Sequence, residues 1–116
     1  MSENIVKNKS FAFAVRVVNF YKILHERKEF ILSKQLVRSG TSVGANVREA
    51  INGQSKADFI HKLSISQKEC DEIIYWLKLL RATNYINEKE FTSMNDDAVE
   101  LLKIIRSIII TSKGKP

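Results

Sequence analysis

Proline occurs once in this chain, at the final position, and glycine only four times in 116 residues. That scarcity leaves few of the tight turns that an all-β or loop-rich domain needs, and it favours helices. The single cysteine, Cys70, excludes an internal disulfide and a zinc site built from several cysteines, and fits a reducing, cytoplasmic setting. No apolar run approaches the roughly 18 residues of a membrane span, and the longest candidate, 104–110, is broken by Arg106 and Ser107. The opening residues, MSENIVKNKS, lack the apolar stretch of a signal peptide, so no membrane partner is expected. Acidic residues are outnumbered, thirteen against nineteen Lys and Arg, for a net charge of +6. A polyanion is a reasonable partner class for such a chain, although positive charge also serves solubility alone.

What the chain does have is hydrophobic residues, 44% of the total, at helical spacing. A chain of this length makes one domain with a core of its own. Steps of three and four predict four helices, at about 4–26, 29–51, 56–83 and 88–111. In the first, Val6, Phe13, Val17, Phe20 and Leu24 share a face, with Ala14, Val18 and Tyr21 beside them. So broad a surface predicts more than one neighbour, inside the bundle or across a subunit boundary. Asn4 can serve as the N-cap, and the polar break at 25–28 contains neither proline nor glycine to mark its turn.

The second helix carries QLVRSGTSVGANVREA at 35–50. Leu32, Leu36, Ser39, Val43, Val47 and Ala50 form a narrow apolar face, flanked by Gly40, Ser42, Gly44 and Ala45. A glycine inside a helix costs about 0.5–1 kcal/mol against alanine, which tertiary packing must offset. Two ways of doing so are a neighbouring backbone that approaches where only small side chains permit, and a local bend. Gly53, just past the last turn, is expected to close the helix in the left-handed conformation.

The third helix opens on Ser55 and Asp58 at capping-box spacing. Phe59, Leu63, Ser66, Cys70, Ile73, Leu77 and Leu80 then alternate steps of four and three, a heptad seam suited to shallow helix crossing. Ser66 and Cys70 are its small members, where the second helix can come close, while Ile60, Ile74, Trp76 and Leu79 predict a second interface. In the fourth helix, Asn87 and Glu90 repeat the capping spacing, and Phe91, Met94, Ala98, Leu101, Ile105 and Ile108 form the face. Residues 112–116 are expected to be a frayed basic tail. Four long helices joined by short loops bury their seams as an antiparallel up-down-up-down four-helix bundle, an all-α fold.

Side chains that carry chemistry are few. Glu69, Asp71 and Glu72 lie together on the third helix, but the Glu-x-x-His pairing of di-iron bundles is absent, and His25 and His61 are the only histidines. Cys70, mid-seam with no histidine in helical reach, reads as a small buried hydrophobe. Gly40 and Gly44 sit inside a helix rather than in a phosphate-binding loop. No catalytic residue, metal or cofactor is expected, and the chain does not read as an enzyme. On the polar side of the second helix, Lys34, Arg38 and Arg48 line up with Thr41 and Ala45, and Lys56 follows nearby. These charges suit contact with a phosphate backbone; the alternative is a solvated face. No aromatic residue interrupts the stripe, so contact is expected with phosphates and not with bases.

The stretch SVGANVREA at 42–50, preceded by QLVRS at 35–39 and followed by KADFI at 56–60 and EIIYWL at 72–77, resembles the signature of the intervening-sequence protein family. These are small four-helix bundles often labelled S23 ribosomal protein, and the resemblance spans nearly the whole chain. The family takes its name from genes lying in insertions within large-subunit ribosomal RNA genes, and the label does not make its members established ribosomal subunits. Many members carry proline at the position of Gly44, so a bend there is expected to be weaker or differently made in this chain. The resemblance implies a homopentamer. It also implies a relation to the accessory variability determinant of diversity-generating retroelements, a basic pentameric bundle that binds nucleic acid and a reverse transcriptase. It supplies no catalytic residues. From the motif come Ser42, Asn46 and Glu49, which share a face and are expected to form a polar network fixing the second helix to a neighbour.

The sequence therefore leads to a non-enzymatic, homo-oligomeric, cytoplasmic bundle that binds RNA or DNA or acts as an adaptor. The alternative is a protein–protein interaction scaffold that uses its surplus apolar surface, with positive charge serving solubility.

Overall fold

Glu29 decides where the second helix begins. Its buried carboxylate accepts the backbone N–H groups of Ile31 (3.2 Å), Leu32 (3.0 Å) and Ser33 (2.5 Å), and its carbonyl accepts the Ser33 hydroxyl (2.8 Å). Amides at a helix start have no intrahelical partner, and a carboxylate among them also suits the positive end of the helix. The helix accordingly starts at Leu32, not at 29 as spacing alone predicts.

The computed structural model describes residues 2–114. It contains α1 (Ser2–Glu26), α2 (Leu32–Ile51), α3 (Lys56–Ala82) and α4 (Glu88–Lys113), joined by loops of four or five residues. Asn4 lies inside α1 and does not cap it. Residues 112 and 113 continue α4 where a frayed tail was expected, and Lys115 and Pro116 lie outside the described residues.

α1 and α3 both end without glycine. Lys28 (φ 64°) and Asn84 (φ 66°) take the left-handed conformation instead. Paired backbone bonds close each end in the same way, Lys28 to His25 and Glu29 to Leu24 after α1, Asn84 to Arg81 and Tyr85 to Leu80 after α3. Gly53, expected to be left-handed, is not: no described glycine has a positive φ, and a Cβ at Gly53 would run into the Asp58 carboxylate. A Cβ there would have to displace the Asp58 carboxylate and would sit 3.1 Å from the Ala50 carbonyl, so the constraint at Gly53 is one of space. The Ser55 hydroxyl accepts the Asp58 N–H at 3.0 Å, and Asn87 with Glu90 completes a reciprocal capping box.

Consecutive helices run antiparallel within 49 × 20 × 19 Å, each against the next and α4 back against α1. The fold is an all-α, up-down-up-down four-helix bundle. From the α3 seam, Leu63, Ser66, Cys70, Ile73, Leu77 and Leu80 are all buried, in one core with Val17, Leu24, Leu36, Val43, Val47 and Ile105. Each fully buried aliphatic side chain contributes about 1.5–3 kcal/mol. Phe59 and Ile108, at the ends of their faces, are only partly buried.

The glycines of α2 answer to α1. Val17 fills the space a Cβ on Gly40 would take, and the Ser10 carbonyl lies 3.4 Å from where a Cβ on Gly44 would sit. On the opposite flank of α2, the Ser66 hydroxyl donates to the Val43 carbonyl at 2.9 Å, while the Cys70 Sγ lies 3.2 Å from the Ala98 carbonyl of α4. Of the two small seam residues, Ser66 thus faces α2 and Cys70 faces α4. Along the exposed edge, α1 and α4 are joined by the ion pairs Lys9–Glu100 and Arg16–Asp97, and Arg27, just past the end of α1, pairs with Glu90. No helix among the described residues is long and apolar enough to cross a membrane.

Candidate functional site

Lys34, Arg38, Arg48 and Lys56 are all exposed, but they do not form one cluster. Fourteen residues separate Lys34 from Arg48, about 21 Å along the helix at 1.5 Å per residue. Arg38 turns toward α3, where its guanidinium lies 3.2 Å from Glu69 and 3.6 Å from Glu72. Glu69 is buried, and burial, reinforced by the neighbouring Glu72 carboxyl, raises its pKa above the ordinary carboxylate value while Arg38 opposes the rise. The charge of Arg38 is therefore largely engaged within the chain. Lys56 is the first residue of α3.

Ser42, Asn46 and Glu49 lie on the same flank of α2 as Arg38. The Asn46 amide donates to the Ser42 carbonyl at 2.9 Å and to its hydroxyl at 3.1 Å, and Glu49 pairs with Lys62 of α3 at 3.1 Å. With Arg38, Glu69 and Glu72 these contacts make a polar edge along the α2–α3 boundary. Such an edge aligns two helices in register, and Asn46 is satisfied within its own helix.

The opposite flank of α2 is built differently. Together with α1 it forms an open groove of about 570 Å³ lined by Lys7, Phe11 and Ala14 of α1 and by Thr41, Gly44 and Arg48 of α2. Its register follows from the two close approaches already described, Ser10 beside Gly44 and Val17 beside Gly40. In an antiparallel pair so aligned, Lys7 is level with Arg48, Phe11 with Gly44 and Ala45, and Ala14 with Thr41. Phe11 is 63% exposed, an aromatic face turned to water between small neighbours. Neither Lys7 nor Arg48 belongs to an ion pair among the described residues, whereas Lys9, Arg16, Arg27, Arg38, Lys62 and Arg81 all do. Periodicity on α2 alone could not find Lys7 or Phe11. The available signal was Phe11 and Val15 standing out of phase with the buried face of α1.

Other reactive groups are isolated. Cys70 is buried, and burial pushes its thiol up to about 12. His25 packs against Tyr21 (4.1 Å between ring centroids) and edge-on to Phe30 (5.0 Å), with Nε2 buried and lacking a hydrogen-bond partner. His61 is exposed. Among the described residues, no three His, Cys, Asp or Glu side chains gather where they could hold a metal ion.

A basic all-α bundle with a small-residue second helix, polar on one flank and grooved on the other, defines a narrow class. The chain belongs to the 23S rRNA-intervening sequence protein family, whose sequence model matches residues 2–107. It is similar, at 55% identity and a TM-score of 0.92, to a crystal structure from Bacteroides thetaiotaomicron described as a protein of unknown function from the S23 ribosomal protein family. That match covers 94% of this chain and 98% of the other. No curated protein matches the chain.

Proposed function

We propose that this protein is a non-enzymatic, homo-oligomeric bundle of the cytoplasm that binds RNA or DNA through its phosphates. The observation that carries this reading is the unequal use of positive charge. Lys9, Arg16, Arg27, Arg38 and Lys62 meet carboxylates at the α1–α4 and α2–α3 edges, while Lys7, Lys34 and Arg48, like Lys68, Lys78, Lys103 and Arg106 on α3 and α4, are in no ion pair among the described residues, and of these Lys7 and Arg48 line one groove. Cations without intramolecular partners are available to an external polyanion. Each phosphate they neutralise releases counterion, giving a slope of log affinity against log salt of about −0.9 per contact on duplex and −0.7 on single strands. The test is a salt titration of wild type and Arg48→Glu, with helical content and oligomeric state checked first. Weaker binding and a flatter slope in the variant are expected. Absence of wild-type binding at low salt would remove the reading.

Exposed Phe30 (53%), Ile31 (77%) and Tyr75 (56%) favour a second reading, a protein-binding scaffold. All three lie toward the end of the bundle where α1 finishes and α2 begins, away from Lys7 and Arg48. They also suit contact between copies of the chain, where the number five rests on family resemblance. Sedimentation equilibrium decides assembly: a monomer at micromolar concentration would end it. An apolar protein interface changes little with salt, unlike phosphate binding.

A further inference from the structure

We propose that the groove between α1 and α2 is a binding site for an unpaired nucleotide, with the base stacked on Phe11 and the adjoining phosphates held by Lys7 and Arg48. This rests on the nucleic-acid reading and sharpens it, because it selects single strands over duplex and gives bases a part that the α2 stripe alone denied them.

Three features of the groove meet the needs of one ligand. Lys7 and Arg48 are level with each other on opposite walls, and neither is in an ion pair among the described residues. Phe11 follows Lys7 by four residues, about 6 Å farther along the same wall at 1.5 Å per residue. A nucleotide's phosphate and base, separated by a sugar, span a distance of this order. Finally, Gly44, Ala45 and Ala14 surround Phe11 with little side-chain bulk, so a flat ring can lie against the phenyl face. The groove volume of about 570 Å³ falls within the roughly 300–1,000 Å³ typical of small-ligand sites. Thr41 and Asn8 add polar groups at the rim without charge.

Pairing status follows from the aromatic group. In a duplex both faces of each base are covered by neighbours, so only an unpaired base can stack on Phe11. Stacking is sequence-tolerant because every base has a π-face. A peptide partner fits less well: Lys7 and Arg48 ask for negative charge, and Phe11 asks for a flat apolar surface directly beside it.

The experiment compares a short fluorescein-labelled oligothymidylate with a mixed-sequence duplex, both titrated by anisotropy against wild type, Phe11→Ala, Phe11→Trp, Lys7→Gln and Arg48→Gln. Helical content and sedimentation are measured for each variant. Wild type is expected to bind the single strand more tightly than the duplex. Phe11→Ala is expected to weaken single-strand binding roughly ten-fold or more while leaving the salt slope intact. Phe11→Trp should restore affinity and show tryptophan quenching on binding beyond that of wild type. Lys7→Gln and Arg48→Gln should each flatten the slope. If single-strand affinity survives Phe11→Ala unchanged, the groove proposal is wrong while phosphate binding stands. If Phe11→Ala alters sedimentation and not strand affinity, the groove is a contact between copies. If wild type binds neither probe at low salt, the nucleic-acid reading and the groove proposal fall together.

Discussion

The side chain of Val17 on α1 occupies the volume that a Cβ on Gly40 of α2 would need, whereas a Cβ on Gly44 would meet the Ser10 carbonyl at an ordinary 3.4 Å. Two glycines of one motif therefore answer differently to one substitution. Gly40→Ala must push Val17 or the helix pair apart and is expected to cost about 1–3 kcal/mol. Gly44→Ala gains helix propensity and is expected to be neutral or stabilising by up to about 1 kcal/mol. Urea denaturation measures both, and equal losses would show that α1 presses equally on the two positions.

Leu63 is fully buried at the start of the α3 seam. Leu63→Ala is expected to cost about 2–5 kcal/mol, a large share of the roughly 5–15 kcal/mol that holds a typical domain folded. A measured loss below about 1 kcal/mol would place the seam outside the core.

Lys28 closes α1 at φ 64°, a conformation that costs an L-residue roughly 1–2 kcal/mol and glycine far less. Lys28→Gly is expected to raise stability by about 1 kcal/mol, since the side chain is exposed and little else is lost. Lys28→Val, with a branched Cβ, should lower it. A destabilised glycine variant would mean that the lysine side chain matters more than the backbone.

Stability should change with pH in two directions. Burial raises the pKa of Glu69 above its ordinary 4.5, so the folded state binds this proton more tightly than the unfolded one. Folding therefore gains as pH falls from neutral through the raised value, and the contribution is lost again as pH climbs. Glu90 runs the other way: the Arg27 hydrogen bond, helped by the Asn87 N–H, lowers it below 4.5, so its stabilisation is present above that value and disappears as pH falls through the depressed one. Denaturant midpoints measured from neutral pH down to the ordinary carboxylate range should rise for wild type relative to Glu69→Gln. Parallel curves for the two proteins would show that Glu69 is not the group responsible.

With its thiol at about 12 and its side chain fully buried, Cys70 should be inert to Ellman's reagent in the native protein. Urea below the unfolding midpoint should speed the reaction in proportion to the unfolded fraction. Rapid labelling without denaturant would expose a path to the core beside Ala98.

Core positions were legible in the sequence because burial in a helix obeys a period. Leu63, Ile73 and Leu77, or Val17 and Leu24, declare themselves by spacing alone. The helix start at Leu32 was not legible, because Glu29 reaches forward to amides two to four residues on, which is not the spacing of an ordinary N-cap. Gly53 was given the wrong reason: a sequence shows that a Cβ is absent without showing whether a left-handed backbone or a crowding carboxylate disfavours one. At the surface the difficulty is of another kind. Whether Arg38 is open to a ligand depends on where α3 delivers Glu69 and Glu72, and the setting of Arg48 depends on Lys7 and Phe11 from α1. Such sites belong to pairs of helices, and periodicity sees one helix at a time.

α1 and α4 approach each other less than any other neighbouring pair of helices, and their edges are held by Lys9, Arg16 and Arg27 reaching Glu100, Asp97 and Glu90. Exposed ion pairs contribute little each and are screened by salt. The first and last helices of the chain thus close like a clasp on a hinged strip, with α2 and α3 as the spine. Ionic strength screens the ion pairs of both, but the spine keeps its closer packing, so Phe20 and Met94, which line the α1–α4 crevice, are the core side chains expected to meet water first when the clasp slips.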